Sequence, residues 1–540
     1  MNKKMIKKMR PVAFIPPCIL LCIAIALNFI DEEKFIAVFT ALNNLFMEKM
    51  GWIASIVAVL CFILLIAASF SKFRNVTIGG KHAKPKMKTF NWFAISLTST
   101  IASGILIWGA AEPIYHLMDP ATAITGIEPM TGQAAKFAME SMYMHWTVLP
   151  YAIYTVPAVL FGFMYYNGKK KYSVASQLAP MLGKYNKPIV GDIIDALLLF
   201  CIAVGMAACF GQGLMNMVGG SHALFGTDVG SGMLFIFATV AAVISIGSAI
   251  TGIDKGVKVI ANLNVYGYAI ILAFFLILGP VSYFCGLGTE AFGGFVTNFF
   301  ERALLTGTAS SSNWPQTWTT FYWASWMAWA PTTGIFLGLI SYGRKIKHVI
   351  WLNLGINAMF SVLWMTILSG TTIFVQMEGI RDLVTPLTTL DIGVMPYEVI
   401  NTLPLSKVII AVFFIVICLT LVTAVNANVI AMAGLSCKSK DESTQNDSSP
   451  WYYKLIWGTI VAVIAYVMMA LIGSQGIKVL SNIGGIVALF LMIGCVVSLA
   501  ILIPKYKKYD LIDAEESESE IDTKDLLDEK ALELGQSVNE

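Results

Sequence analysis

The stretch Trp318-Thr319-Thr320-Phe321-Tyr322-Trp323-Ala324-Ser325-Trp326-Met327-Ala328-Trp329-Ala330-Pro331 places four of the chain's 13 tryptophans in one apolar run that continues to Ile340. At 3.6 residues per turn, Trp323, Trp326 and Trp329 fall within an arc of roughly 120°. Such a wall of π-faces suits a cation that has no N–H to donate, such as a quaternary ammonium. Hydrogen bonding cannot hold that group, whereas each ring contributes about 0.5–1 kcal/mol when wet and ~2 kcal/mol when dry. The competing reading is a helix that packs its bulk against lipid or neighbouring helices, with tryptophan near the interface.

Around this run the chain is uniformly apolar. Of 540 residues, 57% are hydrophobic and 13% charged, and the mean hydropathy is +0.72. This is the composition of an all-α polytopic membrane protein, whose lipid-embedded backbone satisfies its own hydrogen bonds. The apolar runs are continuous rather than alternating ~10-residue segments, which excludes a β-barrel. The net charge of +3 indicates no partner, and no nucleic acid is expected. The nine cysteines sit mostly inside apolar segments (Cys18, Cys22, Cys61, Cys201, Cys209, Cys418, Cys495) without metal-ligand spacing, and read as small hydrophobes. No metal or cofactor is expected.

Twelve spans are read at roughly 11–30, 52–71, 90–115, 142–165, 190–216, 231–251, 259–285, 316–341, 348–376, 406–434, 453–473 and 480–503. The basic N-terminus, Met1–Arg10, imitates a signal peptide, but the run Pro11–Ile30 is too long for one and reads as the first span. The basic loops are this N-terminus, Lys72–Lys88, Gly168–Lys187, Asp254–Lys258, Gly343–His348 and Cys437–Lys454. The poorly basic ones are Asp31–Lys49, Asp119–Lys136, Gly219–Gly230, Gly286–Pro315, Met377–Pro404 and Gly473–Gly476. The two sets alternate without exception, which puts both termini in the cytoplasm and the protein in the cytoplasmic membrane. In the long outer loops, apolar residues at partial helical spacing (Phe292, Phe295, Phe299; Ile380, Leu383, Leu387, Leu390) fit either surface helices or ordinary packed loops. The acidic segment Tyr509–Glu540 cannot bury a core.

Spans 3–7 and 8–12 form two sets of five, each opening with an aromatic helix that carries Gly or Pro. An odd-numbered repeat inverts its topology, and inverted repeats around a midplane site are a mark of secondary transporters. The division expected is residues 1–89 (two extra helices), 90–285 (first repeat), 286–315 (outer loop or amphipathic helix), 316–508 (second repeat) and 509–540 (acidic tail). In span 3, Ser103 and Gly104 would let the helix loosen and expose carbonyls, or would serve close helix packing. Glu112, just before Pro113, reads as a helix-end group rather than a proton carrier. In span 4, Trp146, Tyr151 and Tyr154 do not form a strict stripe, but a kink at Pro150 could turn Trp146 inward. His145 reads as a structural hydrogen-bonding group.

These motifs resemble the betaine/carnitine/choline transporter family over nearly the whole chain. The matching residues are Trp318 with Phe321-Tyr322-Trp323-Ala324-x-Trp326-x-x-Trp329-x-Pro331, Ile340-Ser341-x-Gly343-Arg344, His145-Trp146 with Ala152-Ile153-Tyr154, and Trp108-Gly109-x-x-Glu112. The resemblance implies an inverted five-helix repeat preceded by two helices, commonly assembled as a homotrimer in the lipid bilayer. It implies that Trp146, Tyr151, Tyr154 and Trp326 wall a central ammonium box lined by Trp329, with Trp318 an outer, transient substrate contact. Trp323 belongs to the signature and is open to a structural role. Backbone near Gly104 and the Ser325 hydroxyl would orient a carboxylate or hydroxyl of the substrate. Ser325 and Tyr151 stand where family members usually carry tryptophan, which leaves a smaller box with two added hydroxyls.

Sodium-coupled relatives place adjacent hydroxyls in span 10, where this chain has Ala424 and Val425. That, with the run Val425-Asn426-Ala427, resembles the sodium-independent carnitine/butyrobetaine exchanger branch. In that branch a basic side chain fills the cation's place; Lys255 or Lys258 could reach in, or both could be cytoplasmic surface charges. Thr333 and Thr423 remain as hydroxyls near the ion region. The expected activity is therefore secondary transport of a betaine-, carnitine- or choline-like compound, by exchange without sodium or alternatively by sodium symport, the latter with possible osmoregulation. An enzyme is not expected, since no paired acids, histidine cluster or nucleophile is seen to assemble at depth. An ATP-driven pump is not expected either, since no phosphate loop occurs.

Overall fold

The computed structural model describes residues 9–101, 104–251, 254–438 and 449–512. The helices are α1 (Pro11–Ile30), α2 (Glu32–Lys49), α3 (Gly51–Phe70), α4 (Thr89–Ile101), α5 (Gly104–Met118), α6 (Gly132–Trp146), α7 (Val148–Tyr166), α8 (Pro188–Phe225), α9 (Ser231–Thr251), α10 (Asp254–Leu278), α11 (Val281–Thr297), α12 (Phe321–Ile340), α13 (Ile346–Met377), α14 (Ser406–Ser436), α15 (Trp451–Ile472) and α16 (Ser474–Tyr509). Among the described residues the only β-pairing is two isolated bridges, Met9 with Cys437 and Thr77 with Lys345.

Among the described residues, eight helices are long and apolar enough to cross a membrane, or up to ten when each of two sharply bent pairs counts as one span. The twelve expected spans are not reached on that measure. α1 is apolar over a shorter length, Pro11–Leu27. α12 is diluted by indole, hydroxyl and proline side chains, and 15 of its 20 residues are buried by protein, so it needs no lipid-like surface. Span 3 is the first bent pair, α4 and α5, at 52°. Span 7 was expected to reach residue 285; instead α10 ends at Leu278, and α11 leaves at 109°. Gly279 and Pro280 cause this turn, because proline removes a backbone donor and clashes with the preceding turn.

The stretch 31–49, read as a loop, forms α2. Asp31 caps it by accepting from the Lys34 amide at 2.9 Å, with Glu32 and Glu33 in the first turn favouring its positive end. α11 and the short helix Phe299–Ala303 make the first part of the first long outer segment helical: Gly288 admits the Tyr143 hydroxyl and Thr366, and Phe284 lies on Gly370. The second holds two short helices, Val384–Thr389 and Met395–Ile400.

The loops sort into two groups by contact. Arg10 pairs with Asp192 and Asp195, Asp195 accepts from Ser173, Arg10 N–H donates to the Ser436 carbonyl, and Arg344 reaches Met87. These join the basic loops to one another. The poorly basic loops meet in the same way: Trp314 donates to the Asp119 carbonyl, Arg302 pairs with Glu140, and Asp391 accepts from the Ser474 amide.

The site is positioned by the crossing of α7 and α12. Gly334 and Gly338, one turn apart, face Pro157, Ala158 and Gly162. A Cβ on Gly338 would stand 2.8 Å from the Gly162 nitrogen and 2.9 Å from the Ala158 carbonyl oxygen. Small residues on both sides therefore let the two backbones touch, which draws the aromatic upper halves of these helices together.

Candidate functional site

Where α6 gives way to α7, Thr147 adopts φ −117°, ψ −106°. Pro150 explains the break: it has no N–H for the Trp146 carbonyl four residues back. The kink expected at Pro150 thus falls at Thr147, and Trp146 ends one helix instead of riding in the middle of another. Its indole meets Trp326 of α12 edge to face, with ring centroids 5.5 Å apart and planes at 84°. Tyr154 adds a third ring, 5.3 Å from Trp326 at 71°, and Tyr322 lies 5.2 Å from Trp146.

These rings surround a cavity of about 40 Å³, lined also by Ser99, Gly104, Gln212, Ser325 and Trp329. Gly104 is needed there, since a Cβ would come within 3.0 Å of Gln212 Oε1 and 3.1 Å of Trp146 Cη2. Both main indoles spend their N–H elsewhere: Trp146 Nε1 donates to Glu112 Oε2 at 2.7 Å and Trp326 Nε1 to the His145 carbonyl at 3.0 Å. What remains toward the cavity is π-surface.

Three of the residues singled out in the sequence lie off the cavity; for Tyr151 alone this departs from the expected placement. Tyr151 does not line the cavity; it backs Trp326 at 6.4 Å and points its hydroxyl to Ser361 Oγ at 2.8 Å, because α7 starts a new axis after Thr147. Trp323, at one edge of the 120° arc, faces away and donates to the Ala303 carbonyl, so of these three tryptophans Trp326 and Trp329 line the cavity, beside Phe321, Tyr322 and Ser325 of the same helix. Trp318 lies outside the box among Trp108, Tyr115 and His116, and its ring face is covered by the Lys478 ammonium, 3.9 Å from the centroid. Thr333 and Thr423 line a second cavity of about 330 Å³ on the side of the basic loops, but the Thr423 hydroxyl already donates to the Leu419 carbonyl at 2.7 Å. Ser103 and the Lys255 and Lys258 side chains lie outside the described residues.

Glu112 is not a helix-end group. It is fully buried, and four donors converge on it: His145 Nδ1 at 2.7 Å and His116 Nε2 at 3.1 Å on Oε1, Trp146 Nε1 and the Tyr322 hydroxyl on Oε2. His145 does make the structural bonds expected of it, continuing to Thr319 Oγ1 at 3.1 Å and stacking on Tyr322. The carboxylate thereby fixes the Trp146 indole of the box. His116 lies one turn along the same helix as Glu112, but His145, Trp146 and Tyr322 come from other helices, so the fold assembles a buried acid–histidine cluster that the sequence was not expected to form.

The sequence from residue 11 to 508 matches the family model described as BCCT, betaine/carnitine/choline family transporter. This chain belongs to that family. Similar proteins include the ectoine/hydroxyectoine transporter of Virgibacillus pantothenticus (24% identical over 454 residues, 84% of this chain and 88% of the relative). Glycine betaine transporter 1 of Vibrio parahaemolyticus is 26% identical over 448 residues, covering 82% and 83%. The glycine betaine transporter OpuD of Bacillus subtilis is 26% identical over 438 residues, covering 81% and 82%. The chain is therefore a multi-pass membrane transporter and not an enzyme.

Within a transporter of this family, Gln212 and Lys478 are two of the site-proximal polar side chains that the sequence reading missed, beside Ser99, Thr100 and Ser481. Gln212 sits among glycines in an apolar span, where a lone amide is a signal in itself. Lys478 fell just before the expected start of the last span at 480; the helix in fact begins at Ser474, which puts an ionisable group on a membrane helix, itself a functional pointer.

Proposed function

We propose that this chain is a secondary active carrier of a small quaternary or methylated ammonium compound of the glycine betaine class, working by alternating access across the cytoplasmic membrane. The observation that carries the reading is the Trp146–Trp326 pair. Two indoles from different helices meet at right angles with both N–H groups bonded away from the cavity. A donor-free cation is the ligand that such faces favour. Trp146, Tyr154, Trp326 and Trp329 surround the ammonium, Gly104 and Ser325 orient the polar end, and Tyr151 supports Trp326 from behind. Trp318 is an outer, transient contact. Relatives described as glycine betaine transporters support this substrate class.

Exchange without sodium is the favoured mode. Span 10 has Ala424 and Val425 at the aligned hydroxyl positions, as in the sodium-independent exchanger branch, and Thr423 has committed its hydroxyl to its own helix. Sodium symport is the second reading, favoured by Thr333 and Thr423 sharing one cavity on the basic-loop side. The alternation of basic loops supports cytoplasmic termini, and family membership supports a homotrimer.

Uptake of labelled glycine betaine into proteoliposomes, with and without a sodium gradient and with and without preloaded glycine betaine, tests both points. Uptake accelerated by internal substrate and indifferent to sodium is expected. Strict sodium dependence with no acceleration would overturn exchange, and no uptake of any methylated ammonium compound would overturn the substrate class.

A further inference from the structure

On the side of the poorly basic loops, a cavity of about 460 Å³ opens between Asn43, Glu48, Asn313, Gln316, Phe321 and Lys478. Phe321 belongs to this cavity and to the aromatic box as well, so the two spaces are separated by one side-chain layer. Lys478 extends into that layer. Its Nζ lies 3.9 Å from the Trp318 centroid, 5.4 Å from Phe321 and 5.8 Å from Trp108.

The charge is unusual in its surroundings. A half-buried lysine normally finds a carboxylate, yet Lys478 forms no ion pair among the described residues. Two acids are near. Glu112 attracts Lys478 across the ring cluster, but its two oxygens already accept from four donors, including His116 and His145. Glu48 is exposed and lines the same cavity without reaching Nζ. Among the described residues, ring faces are the ammonium's close partners, and rings hold a cation without neutralising it.

We infer that Lys478 is a specificity-determining residue: an aromatic-caged ammonium, unpaired and facing the outer cavity, that admits carboxylate-bearing zwitterions and turns away solutes that carry only positive charge. This rests on the carrier reading above. In the cavity the solute's carboxylate takes Nζ on its flexible four-carbon stem. The ring face that Nζ leaves then passes to the solute's methylated ammonium, so both charges gain a partner in one exchange. A solute with an ammonium and no carboxylate must instead displace a like charge from the ring. For charges ~6 Å apart, Coulomb repulsion is worth about threefold in affinity at the dielectric constant of water. It rises to about a hundredfold at an effective constant of 20, so a preference on the order of tenfold is expected.

The test is uptake kinetics of the full-length protein in proteoliposomes, with glycine betaine as the zwitterion and choline as the carboxylate-free cation. The proteins compared are wild type, Lys478→Met and Lys478→Arg. Lys478→Met keeps the stem's bulk and removes the charge; it should shift the ratio of kcat/KM values about tenfold toward choline, through a higher KM for betaine and a lower one for choline. Lys478→Arg keeps the charge and should keep the wild-type ratio. Equilibrium binding of both solutes to detergent-purified protein, followed by tryptophan fluorescence, gives the same comparison if a variant reconstitutes poorly. A Lys478→Met ratio within twofold of wild type would overturn the inference. So would an equal rise for both solutes, which would make Lys478 a plug and not a selector. These outcomes leave the carrier reading standing; it fails separately, if the wild type carries neither solute.

Discussion

Replacing Glu112 separates what its shape does from what its charge does. Four donors end on the two carboxylate oxygens, and they differ in their alternatives. The Trp146 N–H is donor-only, the Tyr322 hydroxyl can rotate, and each histidine can offer a lone pair as a neutral tautomer. Glu112→Leu strips all four and leaves at least the Trp146 N–H buried and unpaired, which alone costs about 1–3 kcal/mol. Adding the lost bonds to the others, roughly 4 kcal/mol or more is expected. Glu112→Gln fits the same volume. Its oxygen can accept from Trp146 and Tyr322 while its amide donates to His145 Nδ1 and His116 Nε2, so mainly the charge assistance is lost, about 2 kcal/mol over the strong bonds. Because Trp146 is a box wall, the difference should appear in substrate binding as well as in stability. Thermal melts and glycine betaine binding to the purified protein should rank wild type above Glu112→Gln above Glu112→Leu, with at least tenfold between the two variants in Kd. Equal losses for both variants would refute the reasoning, since charge and not acceptor geometry would then be what binding requires. Wild-type binding by Glu112→Leu would refute it from the other side, because Trp146 would not depend on this anchor.

Trp326→Phe keeps a π-face but loses the bond to the His145 carbonyl, so glycine betaine binding should weaken by about tenfold and persist, whereas Trp326→Leu should abolish it; identical affinities would reject an electrostatic role for the ring. Gly338→Val forces a branched side chain onto the Gly162 and Ala158 backbone. It should lower stability by about 1–3 kcal/mol in a denaturation series, and an unchanged midpoint would show that the α7–α12 crossing can spread at no cost.

The parts of the site legible in the sequence are those whose information is local. Trp326 and Trp146 stand in dense aromatic motifs, and the long apolar runs give the class of helical membrane protein, though not α2 or the breaks at Thr147 and Gly279. Local information stops at the axis of one helix. A 120° arc of tryptophans cannot say which edge turns inward, and the answer came from a neighbour: the Ala303 carbonyl takes the Trp323 N–H, leaving the other edge to the cavity. The angle between Trp146 and Tyr154 had no meaning on a single axis, because Pro150 ends one helix at Trp146 and Thr147 starts another. Glu112 was misjudged for the same reason. A lone acid before a proline reads as a terminus until residues about 30 and 210 positions away supply its donors.

The sizes of the three cavities give the site its direction of action. The box holds about 40 Å³, room for a few waters, between an outer space of about 460 Å³ and an inner one of about 330 Å³. Phe321 lines both the outer space and the box, and Ser99 both the box and the inner space. A solute passing through must therefore part the rings from one another, and the rings stand on elements with different freedom. Trp326 rides on α12, which packs backbone to backbone on α7 at Gly334 and Gly338. Trp146 sits at a helix end, next to the broken backbone at Thr147, and Gly104 opposes it across the bend between α4 and α5. Opening is cheapest where the chain is already interrupted. The wall formed by Trp146 and Gly104 is thus the one expected to move, with α7 and α12 serving as the fixed frame against which it swings.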